Sequence, residues 1–345
     1  MLRPKKKVQT MVESRNPDAA NSAPYPRWLG DIGGTNARFG WQTSEDSAIS
    51  HVQVLPCAEY VSILDAAQSY LRSQGFPTPP CAAFGIANPV TGDNVAMTNH
   101  HWKFSVSALR ESLGLARFLL LNDFTALALS LTQLPESQKH AVGGGQAALD
   151  AAIGLIGPGT GLGVSGLLPL GYQNKWIPIA GEGGHVSLGA TTALEFSVIA
   201  QLQKRYGHVS AERIVSGAGL VDLYHALCDL KSSEGREITT PADVMARAQD
   251  LPLSAANQAL DMFCGFLGSV AGDLALTLGA RGGIYIGGGI VPRMGARFDA
   301  SPFRAHFENK GRFKSYLQAI PTWVIQSQVS PALQGASQAL SLTQW

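Results

Sequence analysis

Two short glycine turns, each carrying a threonine and set 125 positions apart, constrain this chain more than any other feature. The first, Gly33-Gly34-Thr35, lies between the apolar run of Trp28, Leu29 and Ile32 and that of Phe39 and Trp41. The second, Gly157-Pro158-Gly159-Thr160-Gly161, lies between apolar runs at 152–156 and 162–168. Apolar runs meeting at a glycine turn predict β-hairpins. Turns without Cβ atoms let backbone N–H groups converge on an anion such as phosphate, with Thr35 or Thr160 adding a hydroxyl donor. The separation is about one domain length, so the pattern predicts a duplication: two α/β units, each offering a glycine-bearing hairpin.

Length and composition fit that reading. The 345 residues are enough for about two domains, and 45% apolar with 15% charged side chains excludes a coiled coil or a disordered chain. The net charge of +1 is local, because residues 1–26 hold Arg3, Lys5, Lys6, Lys7 and Arg15 against Glu13 and Asp18. The remaining body carries 21 of the 26 basic and 23 of the 25 acidic side chains, which is no footprint for nucleic acid. Residues 1–26 read as a disordered, solvated leader, with Met11 a second possible start. Val8 to Glu13 do not make the apolar core of a secretory signal. The uncharged stretch 151–174 contains seven Gly and two Pro, so it reads as buried strands and turns and no membrane partner is expected. Cys57, Cys81, Cys228 and Cys264 form no CxxC pair, which predicts reduced thiols and a cytoplasmic protein.

Helical spacing at 61–72 and a strand run at 82–87 follow the first hairpin. A strand at 118–121 ends in Asn122-Asp123 before another helical stretch. The strongest helix signal starts after Ser254, an N-cap, keeps Leu260, Phe263, Leu267, Val270, Leu274 and Leu278 on one stripe, and stops at Gly279. A strand at 283–286 then runs into Gly287-Gly288-Gly289, where bare backbone offers either a flat surface for a nucleoside or a tight turn.

No GxxxxGK[ST] occurs, which disfavours a P-loop. Gly161, Gly163 and Gly166 satisfy GxGxxG, but the following Leu-Leu-Pro-Leu-Gly cannot open the helix that a dinucleotide fingerprint requires. Asp123 sits where a strand meets a helix: a carboxylate there serves as a base toward a hydroxyl attacking phosphorus, and Asn122 or Asp123 serves equally as a helix cap. Glu182-Gly183-Gly184-His185 has ExxH spacing, but two adjacent glycines argue against a metal-binding helix and for a loop that offers polar groups to a sugar. Glu212 follows the N-cap candidate Ser210, where acids are favoured in any first turn. Asp31, at the first hairpin, is a turn residue or a carboxylate orienting water around Mg²⁺.

Taken in order, six segments resemble the bacterial glucokinases of the proteobacterial type: residues 30–38, 121–126, 159–163, 181–186, 208–213 and 287–293. The likeness runs from about Trp28 to the C-terminus. It implies a two-domain hexokinase/actin-like (RNase H-like) α/β fold with duplicated units around a cleft, often as a homodimer. The small domain is expected over 27–133 plus 324–345 and the large domain over 134–323. By the same resemblance ATP lies on Gly30, Asp31, Ile32, Gly33, Gly34, Thr35 and Asn36, on Gly159, Thr160 and Gly161, and on Gly287, Gly288 and Gly289. Asp123 is implied as the base toward glucose, Asn122, Glu182, His185 and Glu212 as sugar-holding residues, and Asp31 as the water-mediated contact to Mg²⁺. The segments 88–93 and 97–102 also match, with Asn88 a departure and Trp102 as readily a core anchor. The expected reaction is transfer of the γ-phosphoryl group of ATP to glucose, giving glucose 6-phosphate. A kinase of another hexose or amino sugar, an inactive sugar sensor and an actin-like assembly ATPase are the rival readings.

Overall fold

A computed structural model describes residues 11–15, 24–171, 175–231, 237–250, 254–327 and 330–342. The run Lys5, Lys6 and Lys7 lies outside them. The chain divides into two compact units, one of residues 1–134 with 327–345 and the other of residues 135–326.

Unit 1 contains β1 (Met11–Arg15), β2 (Arg27–Ile32), β3 (Asn36–Gln42), β4 (Ser50–Pro56), β5 (Cys81–Ile86), a small antiparallel pair β6 (Asn94–Ala96) and β7 (Lys103–Ser105), and β8 (Arg117–Asn122). Its six-stranded sheet has the order β1-β8-β5-β2-β3-β4. Strands β2, β5 and β8 run parallel, and the β2–β3–β4 meander is antiparallel. Unit 2 contains β9 (Lys139–Ala141), β10 (Ile153–Pro158), β11 (Leu162–Pro169), β12 (Trp176–Gly181), β13 (Ile284–Ile286) and β14 (Thr322–Ile325). Their order is β12-β11-β10-β13-β14-β9. An antiparallel meander, two further parallel strands and an antiparallel edge strand thus recur in both units. The predicted duplication is present at the level of topology, and it is the RNase H-like unit of the hexokinase/actin-like fold.

Two differences from the sequence reading concern boundaries. Met11–Arg15, assigned to a disordered leader, forms an edge strand antiparallel to β8, with Met11 opposite Leu121. Its Glu13 pairs with the buried Arg117, which also donates to the Leu340 carbonyl at 3.0 Å. A short polar segment joins a sheet when the neighbouring edge supplies ladder partners and a buried cation requires an acid. At the other end, a boundary at 324 would cut β14, which lies between β13 and β9 in the second sheet. The division falls after Gln326 instead.

Unit 1 is built on an aromatic cluster in which Trp28 and Phe84 meet edge to face at 5.1 Å and Phe84 and Phe118 do the same. The C-terminal helix Pro331–Ser341 rejoins this unit and crosses the helix Asp123–Ser130. A side chain at Gly335 would collide with the Ala126 carbonyl, so glycine permits the crossing. Arg27 fixes that helix by donating to the Ser337 carbonyl at 2.8 Å and the Ser341 hydroxyl at 2.9 Å. In unit 2 the predicted long helix is Ala255–Leu278, capped by Ser254 and ended by Gly279 at φ 61°. It is long and apolar enough to cross a membrane, yet 78% of its most apolar window is buried in the core of its unit.

None of the four cysteines forms a disulfide, and all are buried. Burial pushes the Cys81 thiol up to about 11 and that of Cys264 up to about 12, and raises Cys57 as well. A thiol reacts as its thiolate. Labelling of the native protein with a disulfide reagent at pH 8 should therefore be slow at these three thiols and follow unfolding. Stoichiometric reaction of Cys57, Cys81 or Cys264 within seconds would contradict the packing.

Candidate active site

In unit 1 the candidate residues gather at the carboxyl ends of β2, β5 and β8, the edge where open α/β sheets bind ligands. Ile32, Ile86 and Asn122 lie in register across the three strands. The turn after β2 is closed by Gly33 N–H donating to the Asn36 carbonyl at 2.9 Å, and it leaves Thr35 exposed. Asp31 pairs across the hairpin with Arg38, Oδ2 to Nη1 at 3.3 Å, and its side chain is only 14% exposed. Gly30 and Ile32 face inward. A Cβ at Gly30 would lie 2.5 Å from Phe84, and Ile32 is fully buried. Both can offer a ligand only their main chain.

The cap question at Asn122-Asp123 is resolved by geometry. Asn122 is the N-cap, its side chain accepting from Phe124 N–H at 3.0 Å and Thr125 N–H at 3.1 Å. Asp123 is therefore the first helical residue. Its Oδ1 accepts from Phe124 N–H at 2.9 Å and from the Asn122 amide at 3.1 Å, which fixes the carboxylate at the helix N-terminus, where an anion is favoured. Sequence reasoning passed over Gly85. A Cβ there would stand 3.5 Å from Asp123 Cα, 3.1 Å from Ala126 Cβ and 3.8 Å from the Gly30 carbonyl oxygen. Glycine in β5 leaves room for Ala126, and with it for the helix that Asp123 opens.

In unit 2, Thr160 is exposed at the tip of the β10–β11 hairpin, and Gly159 N–H closes the turn onto the Gly161 carbonyl at 2.8 Å. Gly287 N–H donates to the Ile156 carbonyl at 2.8 Å, joining the triple glycine to β10. Gly288 has φ 78°, and a side chain there would collide with the Pro158 carbonyl, whereas Gly289 faces open space. The triple glycine is thus both a tight turn and a bare surface: Gly288 supplies the first and Gly289 the second.

His185, one 3₁₀ turn after Glu182, also meets Glu212 in unit 2. The ExxH segment is neither a plain loop nor an α-helix. It makes a single 3₁₀ turn, Gly183–His185, because a side chain at Gly184 would strike the Leu162 carbonyl and one at Gly183 would strike Val164. Glu212 sits in the short helix Ala211–Ile214, capped by Ser210 as expected. It is more than a first-turn acid: Oε2 accepts from Leu162 N–H at 2.9 Å and Oε1 lies 4.0 Å from His185 Nδ1. Ala211 N–H bonds the Val186 carbonyl at 2.9 Å, fastening this helix to the 3₁₀ turn. Glu182 and His185 remain exposed, so these groups present an acceptor, an imidazole and a half-buried carboxylate at one surface. Gly161 belongs to this arrangement as well, since a Cβ there would displace the Glu212 carboxylate.

Duplicated RNase H-like units, glycine hairpins at the strand ends and a carboxylate at a helix N-terminus define the hexokinase/actin-like class. A solved glucokinase from an Antarctic psychrotroph has a similar structure, with a TM-score of 0.82 at 34% identity, covering 91% of this chain and 98% of that one. The family model for glucokinase matches residues 28–343. Glucokinases from Aromatoleum aromaticum and Chromobacterium violaceum are 52% and 49% identical over 317 residues, covering 92% of this chain and 95% and 90% of theirs. This chain belongs to the glucokinase family.

The contact at Gly288 yields a prediction. Gly288→Ala must strain a left-handed backbone and push against main chain, which should cost about 2 kcal/mol or more. Thermal or denaturant unfolding measures it, and a stability equal to that of the parent would show that the turn is not as close as described.

Proposed function

We infer that this chain transfers the γ-phosphoryl group of Mg·ATP to the primary hydroxyl of D-glucose, giving glucose 6-phosphate and ADP. The observation that carries the reading is Asp123: with Asn122 as the N-cap it is the first helical residue, its carboxylate held at the helix N-terminus on the sheet edge that also carries the first glycine hairpin. In the proposed step the sugar O6 forms a bond to the γ-phosphorus as the bond from phosphorus to the bridging oxygen of ADP breaks. Asp123 takes the hydroxyl proton. The developing negative charge meets backbone N–H groups of the two glycine hairpins and the Thr160 hydroxyl.

The nucleotide is assigned to Gly30, Asp31, Ile32, Gly33, Gly34, Thr35 and Asn36 in unit 1 and to Gly159, Thr160, Gly161, Gly287, Gly288 and Gly289 in unit 2. Of these, Gly30 and Ile32 act through backbone alone. The sugar is assigned to Asn122 and Asp123 in unit 1 and to Glu182, His185 and Glu212 in unit 2. Vicinal hydroxyls both donate and accept, which suits carboxylates and an imidazole presented together. Among the described residues no group of three or more His, Cys, Asp or Glu side chains could hold a metal. Asp31 would orient water around a Mg²⁺ bound to the nucleotide phosphates. When bound, the ion neutralises phosphate charge. A homodimer working in the cytoplasm completes the reading, supported by the family resemblance.

The test is a coupled assay with purified protein, Mg·ATP and a panel of hexoses, following both ADP and sugar phosphate. Glucose 6-phosphate is expected. ADP without sugar phosphate would point to an ATPase, and sugar binding without turnover to a sensor. Asp123→Asn should lower kcat by at least ~100-fold while leaving ATP affinity within about twofold, the low end of what a general base contributes. Near-normal turnover in that variant would remove the base from the mechanism. Glu212→Gln should raise the KM for glucose by roughly tenfold, because a half-buried charged acceptor for a sugar hydroxyl is replaced by a neutral amide. Unchanged sugar affinity would place the sugar elsewhere.

A further inference from the structure

We propose that Asn88 is a positioning residue for the turn that carries Asp123, an assignment that rests on the kinase reading above. Asn88 follows β5 at the carboxyl edge of the sheet, and Ala87 N–H ties that backbone to the Ile32 carbonyl of β2 at 2.9 Å. Its side-chain oxygen accepts two bonds from one residue, Thr98 N–H at 2.9 Å and Thr98 Oγ1–H at 2.8 Å. Its amide donates to the Pro89 carbonyl at 3.0 Å. Its own carbonyl receives the Asn122 amide at 3.4 Å, the same amide that donates to Asp123 Oδ1 at 3.1 Å.

A continuous polar chain therefore runs from Thr98 through Asn88 to Asn122 and Asp123. The far end is anchored. Met97 N–H bonds the Trp102 carbonyl at 3.0 Å, and buried Trp102 donates its indole N–H to the Tyr60 carbonyl at 3.1 Å. Beside Thr98, Asn99 packs against the first glycine hairpin, where a Cβ at Gly34 would lie 3.0 Å from Asn99 Cβ. Asn88 thus sets the Asp123 turn and the turn next to the hairpin relative to a common core anchor. Few side chains can accept from an N–H and an O–H of one residue while donating to a neighbouring carbonyl; an asparagine amide does all three.

Loss of the clamp frees the base to drift without removing it, and a misplacement on the order of 1 Å at a reacting group can cost up to ~100-fold. Asn88→Ala should lower kcat by about tenfold, with the KM for Mg·ATP within about twofold of the parent. Thr98→Val, which keeps the N–H and loses the hydroxyl, should lower kcat by about threefold, and Thr98→Ser should restore it. Hydrogen exchange gives a readout independent of activity: the Thr98 amide should exchange at least about tenfold faster in Asn88→Ala, at a Tm close to that of the parent. Should Asn88→Ala fail to fold, the Thr98→Val and Thr98→Ser pair decides alone. Release of the Thr98 amide with unchanged kcat, or a Thr98→Ser variant as impaired as Thr98→Val, would overturn the positioning role and leave the kinase reading intact. A parent protein without glucose phosphorylation would overturn that reading, and the proposal with it.

Discussion

The close packing of three parallel strands in unit 1 is the constraint on which the chemistry depends. β2, β5 and β8 bring Gly30, Gly85 and the Asp123 helix to one edge, and the approach is near enough that a methyl group at Gly85 would meet both the Asp123 backbone and Ala126. A parallel sheet buried on both faces ordinarily fills such positions with branched apolar side chains. Glycine at positions 30 and 85 gives up that burial to admit Phe84 beneath β2 and the helix terminus beside β5. An acid held by one backbone and one side-chain donor at such a junction is already oriented, which the proposed role of Asp123 as a base requires.

Much of this was legible in the sequence, for identifiable reasons. The hairpins at 33–35 and 159–161 show as glycine interrupting apolar runs, and the capped stripe ending at Gly279 reads as the helix Ala255–Leu278 because each of its signals is local. Asn122 and Asp123 could be placed at a strand–helix junction, but not told apart as cap and first helical residue. That distinction depends on which side chain points back at Phe124 and Thr125. The link from Glu212 to Leu162 was not legible either. It joins residues 50 positions apart, and an acid in a helical first turn looks the same whether solvated or reaching across to another element.

The glycines of unit 2 show how a single residue type separates into roles once neighbours are known. Gly184 and Gly288 are required by backbone lying where a Cβ would stand, Gly161 by the carboxylate of Glu212, and Gly289 by nothing within reach. Gly289, like Gly159 in the second hairpin, keeps open backbone. Gly288 builds the turn that holds Gly289 there, and Gly161 makes room for the Glu212 carboxylate as much as for the hairpin. Composition alone, with 38 glycines in the chain, could announce close approach without saying what approaches.

The edge strands complete the account of the duplication. Each six-stranded sheet adds one antiparallel strand beyond its two outer parallel strands, β1 beside β8 and β9 beside β14. In unit 2 that strand comes from the segment leading into the repeat. In unit 1 it comes from Met11–Arg15, ahead of the residues matched by the family model. An uncovered parallel edge would leave a row of main-chain donors and acceptors open to pairing with another chain. Met11–Arg15 closes that edge on the strand that leads into Asp123, while Glu13 compensates the buried Arg117. In both units the segment ahead of the meander thus answers the same physical requirement, and in unit 1 it also braces the strand that leads into Asp123.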